Sequence, residues 1–332
     1  MHQQEMNWMA VSWSPYSRRS EMFARELNGR LRCIHYLRFQ YPLHAPIKYA
    51  LQAARTWQVL WRERPDAVHV QTPPFLCGLV VYLYGRLVGA PYVFEYHSAA
   101  FGRAWDWAKP IQRFLARHAA ANIVTNQHWA GVVNDWGAEA LVMFDPFLEL
   151  PPGEPYPVEP GFNVLFVCTF ASDEPVEAVL EAARQLPEVH FYVTGDRRKK
   201  PASFFETAPP NVIFTGFLDP NGRYLGLLRA ADAVVVLTTR DHTLQLGGCE
   251  AVAVGKPLIT SDWLYLRQVF RGGAVFAANT AEGIRDAVIE TRARHTELSE
   301  AIATFRQESR LEWNDRLAYL RRAVARQVGG RQ

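Results

Sequence analysis

Cysteine is scarce in this chain of 332 residues: Cys33, Cys77, Cys168 and Cys249 stand far apart, with no Cys-x-x-Cys pair and no Cys/His ligand spacing. That excludes a disulfide scaffold and a zinc site, and it makes reduced, mostly buried thiols in a cytoplasmic protein the expectation. Long apolar runs are also missing. The longest uncharged one, Phe75 to Gly85, has 11 residues, against about 20 for a membrane-spanning helix. The first residues carry His2, Gln3, Gln4, Glu5 and Asn7 in place of a basic start and an apolar core, so no secretory signal is expected. A net charge of only +3 argues against a nucleic-acid partner. No Asp-x-Asp dyad, His-x-x-x-His helix or P-loop occurs, and neither a metal nor a separate cofactor is expected.

What the chain does contain is alternation. Short apolar, β-branched runs exchange with longer amphipathic segments, the pattern of strands and helices around a parallel sheet. In the first half, strands are expected at 8–12, 31–36, 67–71, 92–96, 123–125 and 140–144, with helices at 20–28, 46–63, 75–88, 107–118 and 127–136. Six prolines between Pro146 and Pro160 then interrupt regular structure. The alternation resumes with strands at 163–168, 190–194, 212–215, 233–237, 257–260 and 274–276. Helices there are expected at 174–185, 222–230, 247–254, 263–269 and 281–294. A charged helical stretch, Glu297 to Gln327, closes the chain. The domain organisation is thus a first α/β domain at 1–146, a linker at 147–161, a second α/β domain at 162–296, and a helical tail at 297–332 that packs back toward the first. In open sheets of this kind, ligands bind beyond the carboxyl ends of the strands, so the loops there carry the chemistry.

Charge is uneven. Residues 1–150 hold 15 Lys/Arg against 11 Asp/Glu, and the stretch Arg18 to Arg64 holds ten against three. This favours an anionic ligand or peripheral contact with an anionic membrane surface, or else describes solvated faces. Arg18 and Arg19 at a helix start are candidates for an anionic acceptor or a donor phosphate. The basic run Arg197-Arg198-Lys199-Lys200 reads first as a solvated loop and second as a phosphate contact.

The most informative stretch runs from Leu237 to Asp262. A buried strand enters a polar loop, Gly247-Gly248 opens a helix, and Gly255-Lys256-Pro257 ends it and launches the next strand. Amides at Gly247 and Gly248, with the positive helix end, suit a pyrophosphate. Glu250, one turn in, is placed to accept the two hydroxyls of a ribose. The alternative is a packing glycine and a surface glutamate.

With Glu250, Gly255, Pro257, Ser261 and Asp262 in that order, the chain resembles the retaining glycosyltransferases of family 4 (group 1), which have the GT-B fold. Pro65 to Pro74 and Pro91 to Ser98 are similar to first-domain segments of that family. The resemblance implies two Rossmann-like domains with parallel sheets facing across a cleft. It implies a nucleotide-diphosphate sugar donor (UDP or GDP) in the second domain and an acceptor hydroxyl of a glycan, lipid-linked or small molecule. His97 becomes the residue facing the reacting sugar, and Glu250 the ribose ligand. Arg240, His242, Thr243, Gln245, Gly247, Gly248, Thr169, Gly216 and Phe217 become the donor contacts. The chain departs from the family at three places. His242 stands where the first of two glutamates belongs, Trp13 to Ser20 has no glycine, and Thr169 to Pro175 lacks the usual Arg/Lys pair. Two other readings stay open: an epimerase or inverting transferase with Glu95, His97 or Asp106 as base, and a catalytically silent subunit that binds a sugar nucleotide.

Overall fold

The computed structural model describes residues 6–37, 44–143 and 150–329. The chain divides into two compact units, one of Met1–Phe144 with Trp313–Gln332, the other of Asp145–Glu312. The sequence cut at 297 therefore moves: the final helix keeps its first half with the second unit and gives its second half to the first. Each unit is a six-stranded sheet, parallel throughout, with near-continuous apolar strands because both faces are covered by helices.

In the first unit the elements run β1 (Trp8–Ser12), α1 (Arg18–Glu26), β2 (Arg30–Cys33), α2 (Ala45–Glu63), β3 (Ala67–Thr72), α3 (Leu76–Val88), β4 (Tyr92–Tyr96), α4 (Lys109–His118), β5 (Ala121–Val124), α5 (Gln127–Asp135) and β6 (Ala140–Val142). The sheet order is β2-β1-β3-β4-β5-β6, so the strand order reverses beside β1 and β3. Local chemistry sets the helix ends. Ser17 caps α1 by accepting from the Ser20 amide at 3.2 Å, and Asn126 caps α5 by accepting from Trp129 at 2.9 Å. Pro46 stands in the first turn of α2, and Arg64 closes it in the left-handed region ahead of Pro65. The helix expected at 107–118 is α-helical only from Lys109, where Pro110 fits the first turn; its first two residues close a 3-10 turn, Arg103–Ala108, which follows another at Ser98–Phe101.

The second unit runs β7 (Phe162–Phe166), α6 (Val176–Arg184), β8 (Val189–Thr194), α7 (Ala202–Glu206), β9 (Val212–Gly216), α8 (Arg223–Ala230), β10 (Ala233–Val236), α9 (Leu246–Ala253), β11 (Leu258–Ser261), α10 (Leu264–Val269), β12 (Ala274–Ala277), α11 (Ala281–Ala293) and α12 (His295–Gly329). Its order, β12-β11-β10-β7-β8-β9, is that of a dinucleotide-binding sheet, with the reversal between β7 and β10. The one-turn helix α7 falls where no helix was expected. Of the expected linker, residues 147–149 lie outside the described residues, and 150–161 contain no helix or strand. That segment is held down: the Arg229 guanidinium donates to the carbonyls of Leu150 (2.6 Å), Pro151 (3.0 Å) and Pro152 (3.1 Å). Within the first unit, α12 sets Trp313 against Phe23 at 5.2 Å between ring centroids.

Candidate functional site

A cavity of about 600 Å³ opens in the second unit at the place where its strand order reverses. The loops after β7 (Val167, Cys168, Thr169), β8 (Gly195, Asp196, Lys199) and β9 (Phe217, Leu218) form three of its sides, and the start of α9 forms the fourth with Gln245, Gly247 and Glu250. Five expected donor contacts thus come together: Glu250, Gly247, Gln245, Thr169 and Phe217. Gly247 has a reason in packing, because a Cβ there would lie 2.9 Å from Val167 Cγ1 and would push α9 off the cavity floor. Glu250 is only 6% exposed, and its Oε2 accepts from the Tyr224 hydroxyl at 2.6 Å. Tyr224 also lines the cavity. Nothing in its sequence surroundings marked it, since its hydroxyl reaches Glu250 only once α8 has folded beside α9. Phe217 projects from the rim, 76% exposed, and offers an open aromatic face.

The other expected contacts lie elsewhere. Gly248 is a packing glycine: its Cβ would meet the Phe270 ring at 2.8 Å, and its amide donates to the Gln245 carbonyl at 3.2 Å, so it is not available to a phosphate. Arg240, His242 and Thr243 belong to the loop before α9 but do not line the cavity. Arg240 Nη2 points to Asp173 at 3.6 Å, and Asp173 in turn accepts from Thr238 at 2.8 Å. His242 adopts a positive φ of 55°, with its amide on the Asp241 carboxylate at 2.6 Å. Gly216 is likewise outside the lining, and its φ of 72° turns the chain so that Phe217 faces out.

The polar floor carries an unexpected charge. Glu174 reaches back over the loop after β7 and accepts from the amides of Thr169 (2.9 Å) and Ala171 (2.8 Å) and from the Thr169 hydroxyl (3.1 Å). The stretch Thr169 to Pro175, which lacks an Arg/Lys pair, thus carries a carboxylate seated on its own backbone amides. The basic run 197–200 sorts itself by partner. Arg198 pairs with Asp196, pulling that carboxyl down to about 2 through its hydrogen bonds. Arg197 covers the Phe205 ring, and Lys200 pairs with Glu177 at 2.8 Å. Lys199 alone of the four lines the cavity, with its ammonium on the Thr169 carbonyl at 2.7 Å. The solvated-loop reading fits three of the four.

A second polar cluster sits in the first unit. Glu95, on β4, is fully buried, with Arg19 Nε against one carboxylate oxygen and His69 Nε2 at 3.1 Å from the other. Burial works against its ionisation, but the Arg19 guanidinium, then His69 and His97, outweigh it and hold the carboxyl well below its usual range. Arg19 also donates to the Met143 carbonyl at 3.0 Å. The expectation that Arg19 meets an acceptor or a phosphate is corrected: its guanidinium is spent neutralising Glu95 inside the fold. Arg18, half-buried, bonds to Tyr16 instead. His97 follows β4, about a third exposed, with Nε2 3.6 Å from Glu95. Asp106 is exposed and paired with Lys109 at 2.8 Å. Neither Glu95 nor Asp106 is thus disposed as an open base. Among the described residues no group of three or more His, Cys, Asp or Glu is placed to hold a metal, and no helix is long and apolar enough to cross a membrane.

Comparison with known proteins agrees with this architecture. The chain is similar in structure to sucrose-phosphate synthase of Thermosynechococcus elongatus (TM-score 0.71, 14% identity, covering 98% of this chain and 100% of that one). It is similar also to HepE of Anabaena, solved with UDP and glucose (0.69, 13%, 95% and 98%). A glycosyltransferase of Rickettsia africae gives 0.70 at 11% identity, covering 97% and 98%. No protein of curated function matches by sequence. Residues 10–144 match the glycosyl transferase 4-like domain and residues 161–293 the glycosyl transferases group 1 domain. The chain accordingly belongs to the family 4-like, group 1 glycosyltransferases.

Proposed function

We propose that the chain is a retaining glycosyltransferase that moves a sugar from a UDP- or GDP-sugar to an acceptor hydroxyl. The observation that carries this reading is the cavity at the strand-order reversal of the second unit, with Glu250 in its wall and Tyr224 fixing one carboxylate oxygen. The carboxylate stands in the cavity wall, where a ribose would meet it. Phe217 supplies a surface for the base, Lys199 the cation for the phosphates, and the small Gly247 the close backbone approach. That HepE, of similar fold, was solved with UDP and glucose supports the same class of donor. His97 is the residue assigned to the transferred sugar, as the family pattern implies.

Thermal stabilisation by UDP, GDP and ADP tests the reading. A ligand present at 100 times its dissociation constant contributes about 2.7 kcal/mol. One diphosphate should stabilise the protein, and Glu250→Ala should abolish the effect. No stabilisation by any of the three would remove the donor assignment. A second reading, a sugar-nucleotide-binding subunit without turnover, is favoured by Glu174 on the loop amides and by His242 in place of the first family glutamate. Hydrolysis of the bound donor in the absence of acceptor would exclude it.

A further inference from the structure

We infer that a second cavity, within the first unit, binds an α-amino acid with a large apolar side chain. The cavity has a volume of about 580 Å³ and lies at the amino ends of β1, β3 and β4, away from the loops where sheets of this kind usually hold ligands. Its apolar wall comes from two helices. Tyr84 of α3 is buried, Trp61 of α2 meets it edge-on with ring centroids 5.8 Å apart, and Val88 extends the wall. Trp61 and Val88 remain exposed, so the wall offers apolar surface for a ligand to cover.

Two opposite charges accompany this wall. Arg64 and Asp66, with only Pro65 between them, both line the cavity, yet no ion pair joins them. Among the described residues the Arg64 guanidinium has neither an ion pair nor a hydrogen bond, and Asp66 accepts only from the Asn7 amide, at 2.8 Å through Oδ2. Both charges reach the Tyr84 hydroxyl: burial pushes that phenol up, Arg64 pulls it down and Asp66 pushes it further up. A ligand with only a carboxylate would leave Asp66 unanswered, and one with only an ammonium would leave Arg64 so. A zwitterion answers both. The carboxyl ends of α2 and α3, marked by Arg64 and Gly89, meet at the cavity, and their carbonyls favour the ammonium. The backbone points the same way. Arg64 ends α2 with a φ of 42°, a turn for which α3 uses Gly89 at 81°. Glycine adopts that conformation freely and arginine does not, and what arginine adds is a guanidinium at the cavity.

Calorimetric titration of the full chain with L-tryptophan, tryptamine (no carboxylate), 3-indolepropionate (no ammonium) and glycine (no side chain) tests the inference. L-Tryptophan should bind, and each of the other three should bind about tenfold more weakly or worse. Arg64→Gly installs the residue that the backbone prefers, so melting should hold or rise while tryptophan binding falls about tenfold. Asp66→Asn keeps an acceptor for the Asn7 amide; it should weaken tryptophan to the same degree and leave 3-indolepropionate no weaker. No binding of tryptophan overturns the proposal, as does wild-type binding in Arg64→Gly. Tryptamine bound as tightly as tryptophan overturns it in favour of a cation site at the helix ends, and 3-indolepropionate bound as tightly in favour of an anion site on Arg64. Stabilisation by nucleoside diphosphate tests the cavity of the second unit and should be the same in wild type and both variants, so the two assignments stand or fall separately.

Discussion

Glu95 and Glu250 are almost equally buried, at 0% and 6% exposure, and their surroundings are opposite. Glu95 sits among Arg19, His69 and His97 with its charge answered from within. Glu250 accepts from the neutral Tyr224 hydroxyl and stands in the wall of an open cavity. The contrast extends to the sheets. In the first unit the place where strand order reverses is closed by side chains: the Gln71 amide oxygen accepts from Ser12 at 2.6 Å and Ser20 at 2.9 Å, and the buried Arg19 is held by Glu95 and the Met143 carbonyl. In the second unit the equivalent place is empty space. A buried acid is a site only where its partners leave something unanswered.

The largest effect tests the closed cluster. Glu95→Ala strands a buried guanidinium and should destabilise the first unit by about 3–5 kcal/mol, measured by denaturant unfolding. The pH dependence has a fixed sign. The folded carboxyl lies below its ordinary 4.5, so its contribution is complete above that pH and is lost as pH falls below 4.5 toward the folded value. The acid limb of melting temperature against pH should flatten in Glu95→Gln. An unfolding curve for Glu95→Ala that overlays wild type would end the contrast.

Glu250→Ala should do the converse. It removes the hydrogen bond from the Tyr224 hydroxyl at the wall of an open cavity, a loss of about 1 kcal/mol in stability. It should nevertheless erase the ligand-induced stabilisation of about 2.7 kcal/mol expected at saturating diphosphate. If Glu250→Ala unfolds the protein as severely as Glu95→Ala, Glu250 is a structural acid. Tyr224→Phe sharpens the point with a smaller change. It keeps the carboxylate and removes its orientation, and should weaken diphosphate binding about fivefold in a calorimetric titration, with melting nearly unchanged.

Much of this was legible in the chain. Apolar runs with β-branched residues marked the strands because parallel sheets are covered on both faces, and Pro46 and Pro65 fixed the ends of α2 through their own geometry. Gly247 and Glu250 stood out because a strand, a glycine pair and a helix in succession suit a pyrophosphate and a ribose, though the same pattern also fits packing, as Gly248 against Phe270 shows. What stayed hidden depends on contacts between segments distant in sequence. Arg19 reads as a surface cation until β4 brings Glu95 beside it, 76 positions away. Tyr224 and Glu250 are 26 positions apart on separate helices. Glu174 was visible only as a missing cation, and its seat on the Thr169 and Ala171 amides follows from the loop's conformation.

Glu174 supplies the smallest and most pointed test, because it makes the open site resemble the closed one. Its carboxylate is seated on the Thr169 and Ala171 amides, and Glu174, Asp196 and Glu250 together outnumber Lys199 in the lining. Near a surface cavity, one charge removed at about 4 Å from a phosphate is worth about 1 kcal/mol at the water limit. Glu174→Gln should therefore tighten UDP about fivefold and leave uridine, which carries no phosphate, unchanged. Tightening of both ligands alike would mean that Glu174 shapes the cavity as a whole. No change in either would put the phosphates away from the loop after β7, and Lys199→Ala would then leave UDP binding unaltered as well.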